Sequence, residues 1–489
     1  MPGVTVRTAT RSGPATGEAA GAGRYLVVGM TDRGPVDRAV RARSLAEWES
    51  IYGPATSYSL LHADVRLYFE EGGSEVWTAR KVGDGATVGT ATLLDDTTAP
   101  GLATLTVDAE NPGAWSTRVS VGVEAGTIPG TRRLVTYLDG ERRRTYDNLA
   151  TREQAVAAAA TDPLVRVRIA ANATAFPQNL PRITVAPVAL SAGTDDRATV
   201  VAANITDALS LLDQGLGPGM VAVPGYPAAD VRLAVKAHVK ATNRVAVFAL
   251  GRTATYADAL AAGPANQSND GEGLLLHYPW LRVPAIGAGT QDVSGEGYVA
   301  AMRARAHRTA GGPTRAAFGE LAVARYVLEP VVSLDRAQGD ALDDVGVSVT
   351  RRIANTTRLY GYRSLSTDVA NYSLLIGRDT LNVLAADALV QLEQYVGRTI
   401  DPHGHLYAEV AGTLKGIVAG FAKAGGLYAL RAPNGEELDP GYGVDVGPAV
   451  NTTEVRQANR IAAVLAVRVS PVGSLIDLTI VKAGLTAAI

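Results

Sequence analysis

The hydrophobic pattern of the sequence changes twice along the chain, and these changes constrain the fold more than any other feature. Within 23–85, the apolar run Tyr25–Gly29 precedes two helical segments and a second run, Val76–Val82, which predicts a β-α-α-β unit. Between about 86 and 190, apolar and polar residues alternate as in half-buried strands. From about 195 onward, strands and helices alternate again. The sequence therefore predicts a multidomain α/β fold of mixed α+β character, interrupted by a β-rich domain.

Local signals place most of the individual elements. Capping boxes at Ser44–Glu47 and Thr151–Gln154 mark the starts of two helices. Further predicted helices lie at about 58–71, 197–213, 228–241, 253–262, 379–396, 407–424 and 452–463. Predicted strands lie at 102–107, 118–123, 132–138, 164–169, 220–223, 244–250, 274–277, 321–333, 464–470 and 475–482.

These patterns divide the chain into a discontinuous core with insertions. We expect an arm or linker at the N-terminus, because residues 1–22 are rich in Gly, Ala, Ser and Pro. The second α/β domain and the β-rich domain are expected to lie further out than the core. The predicted bounds are 1–22 for the N-terminal arm, 23–85 for the first part of the core, 86–190 for the β-rich insertion, 191–310 for the second α/β domain, 311–470 for the second part of the core and 471–489 for the C-terminal strand or arm.

Composition excludes several classes of function. The 489 residues include 46 basic and 48 acidic side chains, so the overall field does not favour binding to nucleic acid. The absence of cysteine excludes disulfides, thiolate metal sites and a cysteine nucleophile. No run of about 18 apolar residues predicts a membrane span, and the first residues lack the pattern of a signal peptide. We therefore expect no direct contact with nucleic acid and no stable membrane insertion.

Motifs for catalysis or cofactor binding are few. Gly287–Asp292 follows an apolar run and could approach a dinucleotide phosphate, but Asp292 replaces the third glycine and its charge would repel pyrophosphate, so an ordinary glycine loop is the preferred explanation. Asp401, His403 and His405 could bind a metal if the chain were extended, or could form a polar turn between two helices. Neither a P-loop nor a G-x-S-x-G motif is present. No catalytic residue, metal site or cofactor is predicted.

The order of segments at both ends of the chain resembles that of contractile tail sheath proteins. At the N-terminal end the similarity lies in Pro2–Val6, the strand Tyr25–Gly29, the Arg33-Gly34-Pro35 loop and the helix Ser44–Gly53. Towards the C-terminus, a stronger similarity covers Leu359–Asp368, the segment 372–396 with Arg378, the helix within Gly412–Gly426, and the strands Ala466–Val481. The residues that follow Pro471 and the turn Thr399–His403 depart from the family pattern. Together the similar segments cover about half of the chain.

The resemblance implies a structural function without catalysis. It implies a subunit that polymerises with itself as stacked hexameric rings around an inner tail tube, and that contacts baseplate and tail-terminator proteins. It implies a location in a virion tail assembled in the bacterial cytoplasm, and contraction that drives the tube through a cell envelope. A tailocin or another phage-derived injection system remains an alternative. A different class, an α/β nucleotide- or small-molecule-binding enzyme with a cleft within 195–310, also remains open.

The resemblance further implies that terminal arms join neighbouring subunits by strand exchange. Two terminal segments have the alternating pattern that strand addition requires. The residues expected to take part are Val4, Thr5, Val6 and Arg7 at one end, and Leu475, Ile476, Leu478 and Ile480 at the other.

Overall fold

The computed structural model describes residues 23–97, 101–353 and 355–473. The predicted arm residues Val4–Arg7 and Leu475–Ile480 lie outside these ranges. The strands are β1 (Arg24–Gly29), β2 (Val40–Ala42), β3 (Glu75–Arg80), β4 (Thr90–Leu94), β5 (Ala103–Ala109), β6 (Val119–Ala125), β7 (Arg132–Leu138), β8 (Glu141–Leu149), β9 (Val165–Ile169), β10 (Val188–Ala189), β11 (Met220–Ala222), β12 (Val245–Ala249), β13 (Leu274–Tyr278), β14 (Leu281–Pro284), β15 (Thr290–Val293), β16 (Glu329–Pro330), β17 (Val347–Ile353), β18 (Thr356–Tyr360), β19 (Leu430–Arg431), β20 (Glu437–Asp439), β21 (Tyr442–Asp445) and β22 (Val464–Val467).

Helices connect and cover these strands. They are α1 (Leu45–Tyr52), α2 (Leu61–Glu70), α3 (Arg152–Ala158), α4 (Ala202–Ile205), α5 (Ala228–Thr242), α6 (Tyr256–Asn266), α7 (Glu296–Ala310), α8 (Arg336–Asp344), α9 (Val369–Tyr372), α10 (Leu375–Leu392), α11 (His405–Lys423) and α12 (Thr453–Gln457). Both predicted capping boxes begin helices, since Ser44 accepts the N–H of Glu47 and Thr151 accepts that of Gln154.

A central sheet of eight strands organises the molecule, in the order β18-β17-β13-β12-β11-β1-β3-β2. The strands from β17 to β3 run parallel, and the two edge strands are antiparallel. Alternate residues of β1 enter two different cores: Tyr25 and Val27 pack with α2 and α7, and Leu26 and Val28 pack with α5 and α6. The sheet is therefore covered on both faces, which explains the continuous apolar runs in the sequence.

The β-rich segment folds over its own core. Strands β10-β6-β7-β8 form one antiparallel sheet and β4-β5-β9 another. Their inward side chains form a separate hydrophobic cluster that includes Trp115 and Leu134. The strands predicted in this segment are all present, displaced by at most two residues.

Segments that the sequence assigns to different domains share the central sheet. Strands β11, β12 and β13 come from the predicted second α/β domain at 191–310, yet they lie at the centre of the sheet, between β1 and β17. The expectation that 191–310 lies further out than the core therefore does not hold for these strands. Parallel pairing of β1 with β11 explains this arrangement, because it lets one sheet continue across the insertion. The remaining domain bounds stay predictions.

The strand predicted at 321–333 is wrong for most of its length. A 3₁₀ turn occupies Gly319–Ala322, and only β16 pairs in a sheet. The buried Glu71 carboxylate accepts successive backbone N–H groups at 2.8–3.0 Å, so these groups do not join a strand ladder. The donors are Arg325, Tyr326 and Val327.

Two predicted helices are shorter than expected. The helix predicted at 197–213 is broken into 3₁₀ turns and the single turn of α4, since Thr199, Val200 and Val201 are β-branched and disfavour a helix. The helix predicted at 452–463 ends as α12 at Gln457, followed by Asn459 with a φ of 53°.

Two buried carboxylates lie between α2 and α7. Asp64 accepts the Tyr25 hydroxyl at 2.6 Å and the Gly297 N–H at 2.7 Å. Its neighbour Glu296 is 1% exposed, and the Glu296 Oε2 atom has no hydrogen-bond partner. Burial raises the pKa of both carboxyl groups, and the charge of Asp64 further raises the pKa of Glu296.

These raised pKa values predict a stability that falls as pH rises. The folded state binds protons more tightly than the unfolded state, so stability is lost between the ordinary carboxyl pKa near 4 and the raised pKa values. We expect a loss on the order of 1 kcal/mol per pH unit in this window. Urea denaturation from pH 5 to 8 measures it. The Asp64→Asn variant should flatten the curve, and an unchanged slope in that variant would contradict the assignment.

Candidate assembly interface

The C-terminal part of the chain forms a two-layer unit beside the central sheet. Helices α10 and α11 pack under the antiparallel pair β21–β22, in which Tyr442 lies opposite Val467 and Asp445 opposite Val464. The inward face of this small sheet contributes Val444, Leu465 and Val467 to a cluster with both helices. A second antiparallel pair, β19–β20, lies next to it.

One edge of β22 has no strand beside it among the described residues. On the side that faces β21, the N–H of Arg468 donates a hydrogen bond to the Gly441 carbonyl. On that same side, the Arg468 carbonyl accepts a hydrogen bond from the Tyr428 N–H. Backbone groups of successive residues in a strand point to opposite sides. Those of Leu465, Val467 and Val469 therefore point away from β21, and they are available to pair with an added strand.

A groove follows this edge, with a wall formed by α10. One cavity of about 740 Å³ is lined by the start of α10 (Gly377 and Leu381), by 441–443 and by 466–469. A second, separate cavity of about 310 Å³ lies at the other end of α10, lined by residues that include Leu392, Val396 and Ile461. We call the surface between these two cavities the α10–β22 groove.

Exposed apolar side chains surround this groove. Leu389, Val390 and Val396 are 62–74% exposed on the second half of α10 and the turn after it. Tyr428 and Leu438 are also exposed on the β19–β20 side. Such a concentration of apolar surface next to an unpaired strand edge is typical of an interaction site.

The first half of α10 is anchored in the core by a buried ionic cluster. The Arg303 guanidinium of α7 donates to Asp379 of α10 at 2.7 and 2.8 Å, and His307 Nε2 lies 3.1 Å from the same carboxylate. All three side chains are about 1% exposed. Burial opposes ionisation of Asp379, but Arg303 and His307 hold its pKa below the ordinary value. Helix α10 therefore connects the core rigidly to the groove.

A buried arginine lies at the carboxyl end of β3, next to β1. The strand order reverses around β1, and ligands of such sheets bind at the carboxyl ends of the strands there. Arg80, 1% exposed, donates to the carbonyls of Gly34 and Pro112 at 2.9 Å at this point. Arg118 forms an ion pair with Asp32 beside it. The β-rich insertion is thus hydrogen-bonded to the carboxyl end of β3.

The sequence motifs considered for ligands lie in turns. Gly287–Asp292 belongs to the hairpin between β14 and β15, not to a strand-to-helix turn, and Asp292 accepts from Arg282 at 3.1 Å. The Asp401 carboxylate accepts the N–H groups of His403, His405 and Leu406 at 2.9–3.3 Å, as expected of a polar turn that begins α11. Within the described ranges, no group of three or more His, Asp or Glu residues is placed to hold a metal ion.

A helix that crosses a bilayer needs about 20 consecutive, mostly apolar residues, a requirement that applies to the helices of the described ranges. None of the helices found there combines the length and the apolar character needed to cross a bilayer.

Comparison with solved structures shows what this arrangement is similar to. The sheath tail protein of Listeria innocua aligns with a TM-score of 0.59 over 88% of this chain and 89% of its own, at 13% identity. The sheath tail protein of Desulfitobacterium hafniense aligns with a TM-score of 0.57 over 91% of this chain and 93% of its own, also at 13% identity. The contracted PVC sheath complex of an extracellular contractile injection system aligns with a TM-score of 0.56 over 99% of this chain and 98% of its own, at 13% identity.

The chain has the fold of contractile sheath proteins. The resemblance seen in the sequence and the predicted mixed α/β class are both confirmed at the level of the fold. No protein-family profile and no curated protein matches the sequence. The sheath fold is recognised over nearly the whole chain, including the interrupted central sheet.

The α10–β22 groove was not predicted. The sequence interpretation assigned 379–396 to a helix from the spacing of its apolar residues and did not predict which of its surfaces is exposed. The available signal was the width of the apolar stripe, because Leu389 and Val390 extend it beyond the face that α11 covers.

Proposed function

We propose that the protein is the structural subunit of a contractile sheath. The observation that carries the proposal is the similarity to sheath proteins of both tails and injection systems over at least 88% of either chain. The subunit then acts without catalysis and without a cofactor.

In this proposal, arms from neighbouring subunits complete the small C-terminal sheet. The unpaired edge of β22 supplies acceptors and donors at Leu465, Val467 and Val469, and the candidate arms are Val4–Arg7 and Leu475–Ile480. Each backbone hydrogen bond contributes about 0.5–1.5 kcal/mol net, and burial of apolar side chains adds to it. The joints persist while subunit bodies rotate, and repacking of many bistable interfaces makes contraction cooperative.

The proposed partners follow from this assembly. The subunit forms stacked hexameric rings around an inner tube and meets baseplate and tail-terminator proteins at the two ends. A phage tail is the first choice, in which case the protein belongs to the virion. A tailocin or another injection system uses an equivalent subunit. Capsid genes in the genomic neighbourhood would distinguish the phage from these devices.

Electron microscopy tests the function directly. We expect the purified full-length protein, negatively stained at increasing concentration, to form long hollow tubes with a regular transverse repeat. The tubes should also form, or lengthen, when the neighbouring tube gene is co-expressed. A protein with intact termini by mass spectrometry that stays a monodisperse monomer under both conditions would contradict the proposal.

A further inference from the structure

The β19–β20 hairpin carries a chemically reactive pair of residues at its tip. Asn434 and Gly435 are the only Asn-Gly pair in the sequence, and both are exposed in the connection between the two strands. The Ala432 carbonyl accepts the Gly435 N–H at 2.8 Å, and the Ala432 N–H donates to the Glu436 carbonyl at 2.8 Å. Asn434 is therefore held in a tight turn that is open to water.

Gly435 supplies the reactive nitrogen of this turn. Its φ is 88°, in the left-handed region that favours glycine, and no other atom lies within 4 Å of the position that a Cβ would take. Without a side chain, nothing on Gly435 screens its backbone nitrogen from the Asn434 side chain. The nitrogen becomes a nucleophile when it loses its proton, which requires the hydrogen bond to Ala432 to open. Opening of an exposed turn is a local event that leaves the rest of the fold intact.

A hydrogen bond within the turn prepares the Asn434 side chain for attack. Asn434 Oδ1 accepts the Glu436 N–H at 3.1 Å, which folds the side chain back towards the main chain that follows it. Attack on the side-chain carbonyl carbon moves negative charge onto Oδ1, and the Glu436 N–H already donates to that atom. A donor aimed at the oxygen on which charge develops lowers the barrier of such a reaction. The turn therefore supplies both a nucleophile and a stabilising donor.

We propose that Asn434 is a site of spontaneous deamidation. Hydroxide removes the Gly435 amide proton, and the nitrogen forms a bond to Asn434 Cγ. The bond from Cγ to the side-chain nitrogen breaks, and ammonia leaves after taking a proton from water, which regenerates hydroxide. A cyclic imide remains, and a water molecule opens it at either of its carbonyl carbons. The products are aspartate and iso-aspartate, so the net reaction consumes water and releases ammonia.

Deamidation makes an acidic hairpin more acidic. The new carboxylate lies next to Glu436 and Glu437 in the chain, and the Arg431–Glu437 contact at 3.7 Å is exposed and weak. Iso-aspartate also adds a methylene group to the main chain at position 434, so the turn no longer closes with the same geometry. The modification therefore changes both the charge and the backbone of the hairpin, and it does not depend on the proposed sheath function.

A single tryptic peptide contains the test residue and an internal control. Cleavage after Arg431 and Arg456 gives a peptide with Asn434 and with Asn451, which is 2% exposed and bonded through both polar atoms to backbone groups. We expect folded full-length protein, incubated at pH 8, to gain the mass of an amide-to-acid conversion at Asn434 and not at Asn451. Chromatography should separate two products, and the rate should be higher at pH 8 than at pH 6, because the deprotonated nitrogen reacts. An intact Asn434, a single aspartate product, or equal conversion of Asn451 would overturn the proposal.

Substitutions in the hairpin test the mechanism. Gly435→Ala places a Cβ beside the attacking nitrogen, so we expect deamidation to slow by about tenfold. In Asn434→Gln the side-chain amide should stay intact, because the same attack would have to close a larger ring. The control Gly443→Ala lies in the same peptide, has open space around the added Cβ, and should deamidate at the rate of the unaltered protein. Equal rates in the two alanine variants, with both folded by circular dichroism, would overturn the proposal.

Discussion

The Asp379→Ala variant is expected to lose about 3–5 kcal/mol of its free energy of unfolding. The substitution leaves the Arg303 guanidinium buried at 1% exposure without its two hydrogen bonds to the carboxylate. An uncompensated charge in the core costs far more than a lost surface contact. Urea denaturation followed by circular dichroism measures the loss. Limited proteolysis should also show earlier cleavage after α10, because this cluster joins the C-terminal unit to the core.

Two controls separate this effect from a general sensitivity of the helices. Glu409→Ala breaks the exposed Arg398–Glu409 ion pair near the same unit, and we expect little measurable change. The double variant Arg303→Met/Asp379→Leu removes both charges, and it should recover much of the stability. An Asp379→Ala protein no less stable than the Glu409→Ala protein would show that the buried cluster does not anchor α10.

The elements predicted best are those whose hydrophobic pattern is set by one environment. Strand β1 is buried on both faces, and its continuous apolar run leaves one interpretation. Helix α11 has one covered face, formed by residues such as Val410, Leu414 and Val418, and its predicted bounds differ from the observed ones by no more than two residues. In both cases local pattern and tertiary environment agree.

Helix α7 was missed because its environment is set by partners distant in sequence. Burial extends around the whole helix, so no amphipathic stripe marks it. It carries Glu296, Arg303 and His307, which suggest a solvated segment to a local reading. Their burial depends on Asp64 and Asp379, which lie far away along the chain. Only the tertiary structure brings these partners together.

The assembly site could not be predicted from the sequence for a different reason. The terminal segments are candidate arms because the resemblance to sheath proteins implies strand exchange and their alternating pattern is compatible with it, but no local signal shows where such a strand binds. The groove arises because the length of α10 exceeds the width of the two-stranded sheet above it. It also requires that β22 has an unpaired edge among the described residues. Both properties belong to packing between separate segments. The sequence can therefore suggest candidate arms, and the structure shows a strand, β22, with one unpaired edge among the described residues.

Deletion of residues 1–12 is expected to abolish tube formation and to leave the subunit folded. The deleted segment contains Val4–Arg7, which we propose as a strand added to a neighbour, whereas the central sheet begins at Arg24. Circular dichroism and the thermal midpoint should match those of the full-length protein. Negative-stain microscopy, under conditions in which the full-length protein forms tubes, should show none. Truncated protein that still forms tubes would rule out this arm as a necessary joint.

A full-length variant tests the same arm without changing its length. Proline at positions 4 and 6, in the Val4→Pro/Val6→Pro variant, removes two N–H groups from the same side of the strand. We expect this variant to lose tubes as the deletion does. The matched control is Thr8→Pro, which leaves Val4–Arg7 intact and should polymerise normally. If both proline variants lost tube formation equally, the defect would be assigned to chain stiffness. A joint made by strand pairing depends instead on which backbone N–H groups remain able to donate.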